Sequence, residues 1–123
     1  MACGLNKVMI IGTLIRNPEM RFTPSGRSVA NFCVGCKRSW NAADSKQHTE
    51  TEWFNVVAWG KLAEYSKQTL QKDNLIYLEG RLQTRAWQDE QGCQHHSVEI
   101  IARDIVLLSD KSIDEDLEAD GCE

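Results

Sequence analysis

Apolar and polar positions alternate along most of this chain. Between Ser28 and Trp40, Ala30, Phe32, Val34 and Cys36 fall on one face of an extended segment, and Asn31, Cys33, Gly35 and Lys37 on the other. This is the period-two signature of a half-buried strand. Glu52 to Trp59 repeats it, with Phe54, Val56 and Ala58 opposite Trp53, Asn55, Val57 and Trp59. The longest alternating segment is Leu75 to Trp87. There Ile76, Leu78, Gly80, Leu82, Thr84 and Ala86 oppose Tyr77, Glu79, Arg81, Gln83, Arg85 and Trp87. Leu5 to Ile15, rich in Val, Ile and Leu, predicts a first strand. The mixed pattern of His95 to Leu108 predicts a last strand with protein on both faces.

The period changes once. From Lys61 to Lys72, Leu62, Tyr65, Ser66, Thr69 and Leu70 recur at helical spacing, with Asp73-Asn74 as a stop. Turn signals stand at Asn17-Pro18, at Thr23-Pro24-Ser25-Gly26 and at Gln88 to Gly92, whereas Asn41 to Thr51 is polar and aperiodic and predicts a long exposed loop. Strand, strand, strand, helix, strand, strand is the order of an OB-fold. The prediction is a mainly β, five-stranded Greek-key barrel with one short helix between its third and fourth strands, a fold that binds oligonucleotides or oligosaccharides.

The four tryptophans give that barrel its candidate chemistry. Trp53 and Trp59 share the face of their strand that the core does not need. Trp87 shares such a face with Arg81 and Arg85, and Trp40 ends its strand beside Lys37 and Arg38. An indole stacks on any nucleobase, so rings on an open sheet hold a single strand without demanding a sequence, at about 1–3 kcal/mol per base. Interleaved cations neutralise phosphates and release counterions. The same stripes would also suit burial against a partner subunit.

At these residues the chain resembles the bacterial single-stranded DNA-binding proteins. The resemblance runs from Asn6-Lys7-Val8, Gly12, Asn17-Pro18-Glu19 and Arg21 through Thr51-Glu52-Trp53, Gly60-Lys61-Leu62-Ala63-Glu64 and Glu79-Gly80-Arg81-Leu82 to Thr84-Arg85-Ala86-Trp87. It covers residues 5–108, with the motifs in order and in register. It implies an OB-fold homotetramer that wraps single-stranded DNA during replication, recombination and repair, with Trp40, Trp53, Trp59 and Trp87 as the base-stacking residues. Trp59 stands where the family commonly has Phe. Lys7, Lys61, Lys72 and Arg85 match basic positions of the family, and Arg21, Lys37, Arg38 and Arg81 join them as candidate phosphate contacts from their place among the rings. Asn55, Gln83 and Ala86 occupy places where members are often basic.

Charge divides the chain into two parts. Of 14 Lys and Arg and 18 Asp and Glu, residues 1–109 hold 13 and 11, a net +2, whereas residues 110–123 hold Lys111 and seven acids. The first part is predicted to be the DNA-binding domain. The second lacks the composition to fold alone, which predicts a disordered acidic tail. The resemblance implies that such a tail docks replication and repair proteins and competes with DNA for the basic face. The family's tail ends in Pro-Phe, however, and this chain ends Asp120-Gly121-Cys122-Glu123, so docking in that mode is not expected.

The remaining features narrow the class. Five cysteines in no framework spacing predict reduced thiols. Cys33 and Cys36 have CxxC spacing, but residues three apart on a strand point to opposite faces, which argues against a shared metal or disulfide. No nucleophile–base set, phosphate-binding loop or carboxylate pair stands out, so neither an enzyme nor a bound cofactor or metal is predicted. No apolar run approaches the ~18 residues of a membrane span, and no signal peptide or Arg/Ser-rich transit segment stands at the start. The expected location is cytoplasmic, with the nucleoid, and an organellar version stays open. Two other readings carry distinct tests: an OB-type module that assembles replication proteins, separable by Trp53→Ala and Trp87→Ala, and a thiol or zinc protein around Cys33 and Cys36, separable by metal analysis.

Overall fold

The structure, a computed structural model, describes residues 4–41, 43 and 46–109. The acidic segment 110–123, with Cys122, lies outside the described residues, as does Cys3. Six strands and one helix follow in order: β1 (Val8–Leu14), β2 (Glu19–Phe22), β3 (Ser28–Asn41), β4 (Gln47–Trp59), α1 (Lys61–Thr69), β5 (Leu75–Gln88) and β6 (Gln94–Ser109). The sheet order is β1-β5-β6-β4-β3-β2, and a further β1–β3 pairing closes five of the strands into a barrel, the OB-fold. Every neighbouring pair is antiparallel except β4 with β6, where Asn55–Val57 run parallel to Glu99–Ile101.

Alternation builds the core as expected inside the barrel. Ala30, Phe32 and Val34 of β3, Val56 and Ala58 of β4, Ile76 and Leu78 of β5, and Ile10 and Leu14 of β1 are buried together with Ile100 and Ile105 of β6. Each large aliphatic side chain so removed from water contributes about 1.5–3 kcal/mol. Helix α1 closes one end. It turns its small residues, Ala63 and Ser66, fully inward, and the Ser66 hydroxyl donates to the Leu62 carbonyl at 2.8 Å. It ends at Thr69, three residues short of the expected Lys72, and the next residue, Leu70, is already extended. Beyond it the Asn74 side chain accepts from the Gln71 N–H, and Asn17 accepts from the Lys72 N–H, both at 2.8 Å, so the connection to β5 is tied to the β1–β2 turn.

Three features depart from the sequence expectation. First, Glu19–Phe22, between two turn signals, forms the short strand β2 on the edge of β3. Second, the expected loop 41–51 is largely strand, because β3 and β4 pair continuously out to Asn41↔Gln47. That arm projects past the core, so residues on both of its faces are mostly polar, Trp40 being the exception; Arg38 holds Glu50 across the pair at 3.0 Å, and Ser39 meets Thr49 at 3.4 Å. Third, β5 and β6 also outrun the barrel. Leu82 and Val98, on the core-side parity, are therefore exposed, and at the far end Val106 and Leu108 lie bare on the outer face. A bulge at Glu79/Gly80, where β6 carries one extra residue, shifts the parity of β6. At that bulge a Cβ on residue 80 would run into the Ile101 carbonyl oxygen, which requires glycine.

Candidate nucleic-acid interface

Strand register gathers the odd-numbered positions onto one outer surface. Gly35 pairs with Trp53, Lys37 with Thr51 and Val29 with Trp59 across β3–β4; Asn55 meets Glu99 across β4–β6; Gln83, Arg85 and Trp87 meet Glu99, Ser97 and His95 across β5–β6; and Arg21 of β2 meets Val29. Residues opposite one another in a ladder share a face. Trp53, Trp59, Trp87, Arg21, Lys37, Arg81 and Arg85 are thus brought onto one continuous sheet surface from four strands.

Each ring has a distinct setting. Trp53 is 57% exposed and lies directly on the backbone of Gly35, the residue opposite it. It borders a groove of about 330 Å³ with Lys37, Thr51 and Asp73. Trp59 is half-buried, with the Arg27 guanidinium 4.5 Å above its ring. It walls a broader groove of about 520 Å³, floored by Val29 and Val57 and flanked by Arg21 and Arg85. Trp87 is exposed near the tip of the β5–β6 arm, stacked on His95, with Arg85 5.8 Å from its ring centroid. Trp40 stands apart from these three. Its even position puts it on the reverse face of the β3–β4 arm, where it stacks on His48 beneath Arg38.

The cations divide in the same way. Arg21 and Arg85 flank the Trp59 groove, Lys37 the Trp53 groove, and Arg38 accompanies Trp40 on the reverse face. Arg81 is exposed on β5 and donates to Gln83 at 3.1 Å. Lys61 opens α1 two residues after Trp59, and Lys72 is exposed in the turn beyond the helix. Lys7 belongs elsewhere, 3.7 Å from Glu79, which also accepts from the Tyr77 hydroxyl at 3.1 Å. Burial first, and then Glu79, raises the Tyr77 hydroxyl above its ordinary titration range.

Sequence reading missed four participants. Arg27 follows a turn signal and reaches Trp59 only through the fold, because Val29 pairs with Trp59. Phe22, 66% exposed beside the broad groove, sits in the strand that alternation did not show. His95 and Asp89 assemble around Trp87, with His95 Nε2 2.8 Å from Asp89 Oδ2. Cys33 and Cys36 have opposite parity: Cys33 is buried, whereas Cys36 donates its thiol toward the Ile11 carbonyl at 3.5 Å. Among the described residues no three His, Cys, Asp or Glu side chains gather as a metal site.

An OB barrel whose outer sheet is set with exposed rings and guanidinium groups defines a surface of the oligonucleotide-binding class. Residues 5–108 match the single-strand binding protein family. The chain belongs to that family. It is 45% identical over 112 residues to the single-stranded DNA-binding protein 1 of Chlorobaculum tepidum, covering 90% of this chain and 69% of that one. It is 40% identical over 109 residues to the single-stranded DNA-binding protein of Neisseria meningitidis, covering 89% of this chain and 63% of the relative, somewhat less than two thirds of its length. In structure it resembles the Plasmodium falciparum SSB in complex with ssDNA, with a TM-score of 0.82 at 24% identity over 89% of this chain and 99% of that one, a likeness of fold.

Proposed function

We propose that this protein binds single-stranded DNA with little sequence preference and has no catalytic role. Bases stack on Trp53, Trp59 and Trp87 along the odd-numbered face and on Trp40 at the back of the β3–β4 arm. Arg21, Lys37, Lys61, Lys72, Arg81 and Arg85 meet phosphates, and Lys7 and Arg38 do so once released from Glu79 and Glu50. The observation that carries this reading is the shared parity of three Trp rings and four cations on a surface the core does not use. Ring stacking ignores base identity, and open grooves suit a strand threaded along the surface.

Self-association completes the interface. Met9, Ile11, Val106 and Leu108 are between 43% and 62% exposed on the outer sheet of β1, β5 and β6. Beside them β1 pairs with β3 only at Thr13–Leu14, leaving its edge along Val8–Gly12 without a strand among the described residues. An apolar sheet face beside an open edge is suited to a second copy of the same chain, and the assembly we propose is a homotetramer. Its work is the protection of single strands in replication, recombination and repair, in the cytoplasm, with the acidic segment 110–123 as a competitor for the basic face.

Titration with poly(dT) tests the reading. Tryptophan fluorescence is expected to quench, and log affinity to fall with log salt by about 0.7 per phosphate neutralised. Trp53→Ala with Trp87→Ala is expected to lose two stacks of about 1–3 kcal/mol each. No quenching and no affinity at low salt overturns the proposal; affinity that survives the double substitution overturns the stacking mechanism.

A further inference from the structure

The β5–β6 turn carries a chain of contacts that ends on an indole. Asp89 organises the turn: its N–H donates to the Cys93 carbonyl, its carbonyl accepts from Gly92, and its Oδ1 accepts from the N–H groups of Gln91 and Cys93 at 2.9 Å each. The second carboxylate oxygen is thereby aimed along the arm, where it meets His95 Nε2 at 2.8 Å. His95 lies directly opposite Trp87 in the ladder, and the two rings stack with centroids 5.5 Å apart and planes 22° from parallel. The other arm repeats the outer part of this arrangement. There His48, directly opposite Trp40, stacks on it at 5.6 Å and 24°, again with an arginine two residues before the tryptophan.

We propose that His95, oriented by Asp89, is a positioning residue for Trp87, holding the indole in the pose in which a base stacks on it. This rests on Trp87 being a stacking residue, as argued above. An exposed indole turns about a broad terminal torsion and samples several poses in the free protein. A ring fixed from behind is already ordered when the base arrives, and the ordering cost otherwise met on binding disappears. Freeing one such side chain is expected to weaken binding about two- to tenfold. The flat imidazole face supplies the stack, and the carboxylate fixes the plane of the imidazole. Arg85 approaches the same indole, so the ring is bounded by two side chains from two strands.

Affinity of the full chain for a fluorescein-labelled oligothymidylate, measured by anisotropy at constant salt, tests this with a double-mutant cycle. His95→Ala is expected to weaken binding two- to tenfold, and to weaken it no further in a Trp87→Ala background. His95→Phe keeps a flat ring without the carboxylate bond and is expected to recover most of the loss. His95→Gln keeps a polar group for Asp89 without the ring and is expected to behave like Ala. An equal loss in both backgrounds, no loss with His95→Ala, or rescue by Gln but not by Phe overturns the proposal; the last pattern would mean that His95 only staples the hairpin. If Trp87→Ala itself leaves affinity unchanged, the positioning role falls with it. Continued loss on Trp53→Ala would then show that the single-strand reading survives.

Discussion

Gly35→Ala separates binding from folding. A Cβ at residue 35 would stand 2.5 Å from Trp53 Cζ3, 3.0 Å from Cε3 and 3.2 Å from Cη2. Carbon atoms rest at about 3.5–4.0 Å, so the indole edge must retreat by about 1 Å or leave its rotamer. Nothing prevents it, since Trp53 is 57% exposed. The backbone at residue 35 needs no left-handed conformation, and Ala in a strand is favoured over Gly by about 0.5–1 kcal/mol. That gain offsets the packing lost under the ring, and net stability is expected to change by less than about 1 kcal/mol, or a few degrees in Tm. Binding responds differently. On the proposed reading a base stacked on Trp53 contributes about 1–3 kcal/mol, which sets an upper bound on the loss of roughly five- to 140-fold in Kd. Anisotropy titration with an oligothymidylate, beside thermal melting of the same samples, reads both quantities. Gly35→Ala should bind at least several-fold more weakly, should melt like the parent protein, and should add nothing to Trp53→Ala. Parental affinity in Gly35→Ala would refute the argument, because the ring would then be shown to stack equally well when displaced from its seat.

Three further outcomes follow from other parts of the molecule. Asp89 is held below the ordinary carboxylate value, first by the His95 hydrogen bond and then by the Cys93 N–H; its stabilising effect is therefore complete above the unfolded value of about 3.9 and lost as pH falls through the lowered one. Thermal melts from pH 7 to pH 3 should show the advantage of the parent over Asp89→Asn present at neutral pH and fading only in strong acid. Ile11→Asp with Val106→Asp places charge on the bare outer sheet, and light scattering should show a mass reduced toward that of one chain. Deleting residues 110–123 changes the net charge from −4 to +2, and affinity for a single strand should rise, most at low salt, where screening is weakest.

Where a strand has one buried face, the sequence was a sufficient guide. The parity of Phe32, Val34, Val56, Ile76 and Leu78 marks the core, and the same count puts Trp53, Trp59 and Trp87 outside it. Outside the barrel that logic lost its footing. Gln47–Thr51 carry no apolar rhythm because neither face of that arm is buried, and their pairing rests on cross-strand contacts such as Arg38 with Glu50. Leu82 carries the right parity, yet it sits where β5 has already left the core. β2 is four residues between two turns, too short for alternation to register. The Asp89–His95–Trp87 chain depends on which residues the turn brings opposite one another, information that no single strand contains.

The two long arms explain how a domain with a net charge of only +2 over residues 1–109 can hold a polyanion. A field that weak steers little, so attraction must be local, and the fold concentrates it by placing three guanidinium groups against rings, one beside the barrel groove and one on each arm. Arg27 lies over Trp59, Arg38 over Trp40 and Arg85 near Trp87, at 4.5, 4.8 and 5.8 Å from the ring centroids. In the free protein these cation–π contacts, about 0.5–1 kcal/mol each at exposed sites, keep the charges beside the rings. A strand that stacks its bases on the rings brings its phosphates within reach of the same guanidinium groups. On the proposed reading base and backbone contacts are made together, and losing a ring also loosens the cation beside it. Substituting a tryptophan should accordingly reduce the salt slope as well as the affinity, whereas independent stacking and charge contacts would leave the slope unchanged.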